Sequence, residues 1–414
     1  MKRLFVFTSA FPFPAKSMET YLETECQYYD KFDEVILFAL GVKKKTLSQE
    51  RKLNVHNVKV YPILFAPLWV YMLNGVSALF DKNFYIEVRE LIQTHRFNVR
   101  RLIRLLIFMS RSHYETRLVK KVLRKIDVHG AKNVAYVYRF EYHPYVPVLL
   151  KRELGDGKII SRAHGYDLYE ERNSDQYIPL RRILLQELDS VQPISDDGKN
   201  YLSEKYPQYA DKITVSRLGT LDKGIKECHI NDNRIHLVSC SNVVPIKRLD
   251  KIIDALCLIN QNVQWTHYGA GQDYEQIREY AQKLPTNIQC SFKGQATNQE
   301  VLKAYSEINY HLFLNLSESE GIPVSIMEAM SFGIPCIATA VGGTAEIVEN
   351  NVNGVLLPED VSPEQVSKVI LRFMTMQDED YQIFRQNARN IWNAHYNAET
   401  NYRQFTDMLY TKAE

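Results

Sequence analysis

One stretch constrains this chain more than any other: residues 317–354, reading SESEGIPVSIMEAMSFGIPCIATAVGGTAEIVENNVNG. An apolar strand over residues 310–316 leads into the loop Glu320-Gly321-Ile322-Pro323. Pro323 suits the first turn of a helix, where its missing N–H would have had no partner. Residues 324–332 read as that helix, with Gly333 just past its end, where a left-handed backbone costs glycine little. Residues 335–340 form the next strand, and Gly342-Gly343 turns the chain again. A strand, a glycine-bearing loop and the free N–H groups of a helix start make an anion site.

Two acids frame that helix start, Glu320 in the loop and Glu328 inside the helix. A carboxylate beside free N–H groups can accept from two neighbouring hydroxyls of a polyol while the N–H groups face a phosphate. Two glutamates at this spacing alone would be read as a solvated helix face plus a cap. Their surroundings point further. The strings E-G-I-P-V-S-I-M-E-A-M, G-I-P-C-I-A-T and G-G-T-A-E-I-V closely resemble the donor-site signature of retaining GT-B glycosyltransferases of family 4 (glycosyl transferases group 1), of the bacterial capsule and exopolysaccharide type. The resemblance implies an α/β fold in which two Rossmann-like, doubly wound domains face a central cleft. It also implies that Glu320 orients the donor sugar, that Glu328 holds the ribose, and that Gly321, Ile322, Pro323 and Val324 line the nucleotide.

At 414 residues the chain exceeds one compact core and fits two domains. A hydrophobic content of 45% and a charged content of 24% describe a globular protein rather than a disordered one. Six scattered cysteines with no C-x-x-C argue against a zinc site or a disulfide framework and fit a reducing cytoplasm. The N-terminus, MKRLFVFTSAFPFP, begins like a signal peptide, but its apolar run is too short and leads into a strand-and-turn pattern.

Residues 4–8 read as a buried strand, residues 18–30 as a helix capped by Ser17, and residues 35–39 as a second strand, the opening of a doubly wound sheet. Members of the resembled family often carry a glycine pair in the first loop; here the position holds Lys16-Ser17-Met18-Glu19. Residues 61–80 carry no charge, but Pro62, Pro67, Asn74 and Gly75 break the run, so an apolar surface excursion or core segment is preferred to a membrane-spanning helix. Residues 96–125 are strongly basic, with Glu115 the one acid. They fit either solvated helix faces or an anionic membrane surface. Nucleic acid is a poorer fit, because no recognition motif accompanies them. Residues 133–138 and 157–162 read as later strands of the first sheet, and the second of these ends in Ser161-Arg162-Ala163-His164-Gly165. His164 matches the family histidine that touches the donor sugar from the first domain.

A linker over residues 221–233 separates a first domain at 1–220 from a donor domain at 234–385, and a helix over 386–414 crosses back to the first domain. Strands are expected at 235–239, 263–267 and 288–292. In the loop Cys240–Asp250, Lys247 matches the family lysine aimed at the diphosphate; Asn242 stands where the family has arginine, and Arg248 is the adjacent cation. Gly294 and Gln295 match the base-binding position. The triplet Asp378-Glu379-Asp380 lies in a polar stretch and reads as a solvated turn rather than a metal site.

The resulting expectation is a metal-independent, retaining transfer of a sugar from a UDP- or GDP-sugar to a glycan or lipid-linked acceptor. No cofactor is called for, and the protein is placed in the cytoplasm or peripherally on the membrane. Glu320, His164 and Lys247 are the expected catalytic residues. A nucleotide-sugar 2-epimerase and an inactive sugar-binding scaffold at a membrane are the alternatives.

Overall fold

A computed structural model describes residues 1–14, 19–53, 55–230 and 234–413. The chain divides into two compact units, Met1–Arg217 with Tyr402–Glu414, and Leu218–Asn401. Each is built on one six-stranded sheet. In the first, β1 (Lys2–Thr8), β2 (Glu34–Val42), β3 (Val58–Leu64), β4 (Lys132–Val137), β5 (Lys158–Ala163) and β6 (Ser190–Pro193) lie in the order β3-β2-β1-β4-β5-β6. In the second, β7 (Arg234–Cys240), β8 (Asn262–Tyr268), β9 (Ile288–Phe292), β10 (Leu312–Asn315), β11 (Cys336–Thr339) and β12 (Gly354–Leu357) lie in the order β12-β11-β10-β7-β8-β9. All pairings are parallel. Numbered from its own first strand, each sheet has the same order. That order reverses direction between β1 and β4 and again between β7 and β10, the positions where open α/β sheets receive ligands.

The strands are continuous apolar runs because helices cover both faces of each sheet. Residues Leu4–Phe7, Val35–Leu40, Val134–Val137 and Leu312–Leu314 are all buried to 2% exposure or less. The helix Val324–Ser331 follows β10, and Gly333 lies just past it at φ +71°. Every strand expected from the sequence is present; β3, which lies partly in the uncharged stretch, β6 and β12 were not among them.

Several details differ from the sequence reading. The helix at the start of the chain spans Thr20–Glu25 and tightens into a 3-10 turn, Cys26–Lys31; Ser17, expected as its cap, lies outside the described residues together with Lys16 and Met18. The described part of the segment read as a linker, residues 221–230, is anchored to the second unit at its end. Cys228 is buried beside Tyr310 and Tyr381, and the Ile230 N–H donates to Asp378 at 3.0 Å. Asp378-Glu379-Asp380 forms the acidic first turn of a helix rather than a free turn. The C-terminal tail is two helices, Asp378–His395 and Ala398–Lys412. It breaks because Asn397 makes a strand-like bridge to Thr220, with Thr220 N–H donating to Tyr396 O at 2.9 Å and Ala398 N–H to Thr220 O at 3.0 Å. Phe405 and Leu409 of the last helix then join the first unit's core with Val6, Leu37 and Tyr136.

The basic run is the largest departure. It forms the helix Val99–Leu123, capped by the Asn98 side chain, but much of its charge is turned inward. Arg96 donates to Glu170 and Gln176 O, Arg101 to Asp175 O, and Arg104 to Ser174 O and Asn173. Arg111 pairs with Glu115 at 3.0 Å and lies 4.0 Å from the Tyr142 ring centroid. The segment 170–176 makes two left-handed turns, at Asp175 and Gln176, and the guanidinium groups satisfy its carbonyls. The uncharged stretch forms the end of β3 and the short helix Leu68–Ala78, and among the described residues no helix is long and apolar enough to cross a membrane.

Candidate active site

In the second unit, the loops after β7 and β10 meet at the switch point and are tied together. The Glu318 N–H donates to Ile246 O at 2.9 Å. Arg248, at φ +48° and 6% exposed, donates to Leu316 O, Ser317 O and Glu359 O. Thr339 at the end of β11 donates to Ser317 O as well. Arg248, the cation adjacent to Lys247, therefore spends its guanidinium on positioning the loop, as an adjacent residue pointing elsewhere would. Gly342 and Gly343 also do more than turn the chain: a Cβ on Gly342 would lie 2.0 Å from Glu320 O, and one on Gly343 2.4 Å from Gly321 O. The two glycines let the β11 loop press directly against the backbone that carries Glu320, and the Gly343 N–H donates to Gly321 O at 2.8 Å.

The tied loops bring Glu320 and Lys247 together: Lys247 Nζ lies 2.6 Å from Glu320 Oε1, with side-chain exposures of 21% and 12%. Asn315 Nδ2 also donates to that oxygen at 3.3 Å. Directly beyond, Pro323 stands at the N-cap of Val324–Ser331, which has no side-chain cap. Ile322, Pro323 and Val324 are buried, so this helix start is rigidly seated, and its dipole favours negative charge. Glu328 points inward from the same helix, is 6% exposed, and accepts from Asn298 Nδ2. Burial pushes its carboxyl up to about 7, with the Asn298 amide opposing. Asn242 and Gln295 are solvent-exposed on neighbouring loops. Gly294 bridges to Gly269, whose N–H donates to Gly294 O at 2.9 Å.

His164 belongs to the first unit, just past β5. Asp167 fixes it twice, accepting the His164 backbone N–H at 3.0 Å and standing 3.3 Å from Nδ1. Burial opposes charge on Asp167, but His164, Arg139 and the Phe140 N–H outweigh it and hold the carboxyl below the usual range. The Tyr138 ring packs on the imidazole at 4.7 Å, and Nε2 is buried without a hydrogen-bond partner.

Sequence reasoning missed the groups that hold these residues. Asn298 and Asn315 carry no local signal, since the first meets its glutamate across 30 positions. It also missed Glu19, which is 3% exposed and accepts the backbone N–H groups of Ser9, Ala10 and Phe11 at 2.9, 3.1 and 3.1 Å. Arg139 adds an ion pair to it at 3.4 Å. Among the described residues, no cluster of histidine, cysteine and acidic side chains could hold a metal ion.

Residues 222–391 match the family model described as glycosyl transferases group 1. The chain is 29% identical over 185 residues to the GtfA subunit of the UDP-N-acetylglucosamine–peptide N-acetylglucosaminyltransferase of Streptococcus agalactiae, covering 43% of this chain and 35% of that one. It is 26% identical over 237 residues to N-acetyl-alpha-D-glucosaminyl L-malate synthase of Bacillus anthracis, covering 54% and 61%. The chain thus spans between about a third and six-tenths of the length of these relatives. The apo form of the lipopolysaccharide outer core galactosyltransferase WaaB superposes over all of both chains with a TM-score of 0.69 at 15% identity, which establishes the fold. Residues 222–391, which lie within the second unit, thus match the glycosyl transferases group 1 family, and the chain has the GT-B fold of two Rossmann-like domains.

Proposed function

We propose that this protein transfers a sugar from a nucleotide-diphosphate sugar to a glycan or lipid-linked acceptor, with retention at the anomeric carbon. The observation that carries this reading is the Lys247–Glu320 pair beside an uncapped helix start, with buried Glu328 one helix face away. The ammonium and the helix N–H groups are suited to the diphosphate, and a carboxylate in the same place accepts from sugar hydroxyls. Lys247 and Glu320 satisfy one another across 2.6 Å. A donor offers each a better partner, phosphate for the lysine and hydroxyls for the glutamate, so the pair separates when the donor binds. As the bond to the anomeric carbon breaks, negative charge grows on the diphosphate, where Lys247 and the helix dipole stabilise it without a metal. The departing phosphate takes the acceptor proton. Glu328 accepts from the ribose. The relatives' names, one of which specifies UDP-N-acetylglucosamine, support a UDP-sugar as donor. All six cysteines are free thiols, which supports a reducing, cytoplasmic setting.

A thermal-shift screen of UDP- and GDP-sugars identifies the donor, because binding to the native state alone raises its stability. Product NMR with that donor and an oligosaccharide acceptor then reads the anomeric configuration. Retained activity in EDTA is expected; complete loss restored by Mg²⁺ or Mn²⁺ would refute metal independence, and epimerisation of the donor without acceptor would replace transfer with the epimerase reading.

A further inference from the structure

The helix Leu68–Ala78 is inverted relative to an ordinary surface helix. Its buried side carries Tyr71 and Ala78, at 6% and 0% exposure. Its outward side carries Trp69, Met72, Leu73 and Val76, at 62%, 71%, 67% and 57%, and Phe80 just beyond is 87% exposed. This orientation is fixed rather than incidental. Tyr71 O accepts from Ser110 of the long helix Val99–Leu123, Tyr71 OH accepts the Ala66 N–H at 3.1 Å, and the Tyr71 and Tyr114 rings meet at 5.5 Å. Ile103 and Ile107 of the long helix are also half exposed. A contiguous apolar face of this kind marks a binding surface rather than a random excursion.

Charge on the same two helices selects the occupant. Arg100, Arg117, Lys121, Arg124 and Lys125 are exposed, residues 61–80 carry no charge, and the one acid of Val99–Leu123, Glu115, is fully buried. A second copy of the chain is a poor match, since a two-fold contact would set these cations against themselves with no exposed carboxylate on either helix to answer them. An apolar face with tryptophan, on two helices whose exposed charges are all cations, fits an anionic lipid surface.

We propose that the first unit docks on an anionic bilayer by shallow insertion of Trp69, Met72, Leu73, Val76 and Phe80, with Arg100, Arg117, Lys121, Arg124 and Lys125 against the headgroups. Arg101, Arg104 and Arg111 of the same basic run take no part because they hold carbonyls and Glu115. Binding is read without turnover, so its outcome is independent of the transferase reading.

The fluorescence of the intact protein provides the test. Of the three tryptophans, Trp265 and Trp392 are fully buried, so acrylamide quenching reports Trp69. Vesicles of mixed phosphatidylcholine and phosphatidylglycerol should protect Trp69 and pellet the protein, with part of the binding surviving high salt. The triple variant Met72→Ser, Leu73→Ser, Phe80→Ser alters only exposed side chains and should bind about tenfold more weakly at every salt concentration. Arg117→Glu with Lys121→Glu should weaken binding about fivefold per charge at low salt and little at high salt. Two results would overturn the proposal: Trp69 quenched equally with and without vesicles, or Trp69 protected by concentration-dependent self-association in the absence of lipid, which would assign the face to a second copy.

Discussion

The two sheets share one strand order but use their switch points in opposite ways. At the second unit's edge, the helix after β10 begins without a side-chain cap, and the nearest charged groups are a lysine and a glutamate that can separate. At the first unit's edge, the loop after β1 also presents consecutive N–H groups, from Ser9, Ala10 and Phe11, but Glu19 of the same chain already occupies them. Topology therefore creates two potential anion sites and side chains leave one available. The first unit keeps a different resource: a histidine oriented by a buried carboxylate, suited to neutral hydroxyls rather than to phosphate.

The strongest way to break this comparison is Glu320→Ala. Transfer should fall about a hundredfold to a thousandfold, the usual cost of removing one preorganised group, with the melting temperature little changed. Near-normal turnover in this variant would remove the second unit's edge from the reaction.

Next comes Lys247→Ala, which should weaken nucleoside diphosphate binding about tenfold to a hundredfold, the range for a hydrogen bond to a charged group. Calorimetry should show a much smaller loss for the nucleoside lacking phosphate. Equal losses for both would mean that the lysine acts only by holding Glu320.

Glu19→Ala tests the other edge. It strips the acceptor from three N–H groups in a buried loop and should cost about 3 kcal/mol of stability in urea unfolding. Nucleotide affinity should be unaffected. A gain of phosphate binding by the first unit would sharpen the comparison; an unchanged stability would undo it.

The smallest effect concerns Glu328. Its carboxyl is raised to about 7 in the folded protein, from an ordinary value of 4.5, so the folded state favours the proton. That contribution is fully present below the unfolded value and is lost as pH rises through the folded one. Between pH 6 and 8 the wild type should therefore lose about 1 kcal/mol that Glu328→Gln keeps, which paired denaturant titrations can measure. In the proposed ribose role the ionised form accepts a hydroxyl, so wild-type nucleotide affinity should rise over the same interval and that of Glu328→Gln should not. Parallel pH profiles would exclude this carboxylate from the ribose site.

Much of the fold could be read from the chain itself. Strands buried on both faces must be continuous apolar runs, so β1, β4, β7 and β10 were legible without partners, as was the helix start at Pro323. The spacing of Glu320 and Glu328 fixed one acid before that helix and one inside it. Tertiary structure decided the direction in which charge and apolar surface face. Arg101, Arg104 and Arg248 look like available cations in sequence, yet each meets carbonyls about seventy residues away. The uncharged stretch could have been core; packing of Tyr71 on the long helix turned its bulk outward instead. Glu19 gives no sign in sequence that it would close the first unit's edge. Periodicity reports which residues share a face, because that depends on the backbone repeat alone. Whether that face meets core, carbonyl or solvent depends on contacts between distant segments, and these are set only when the chain is folded.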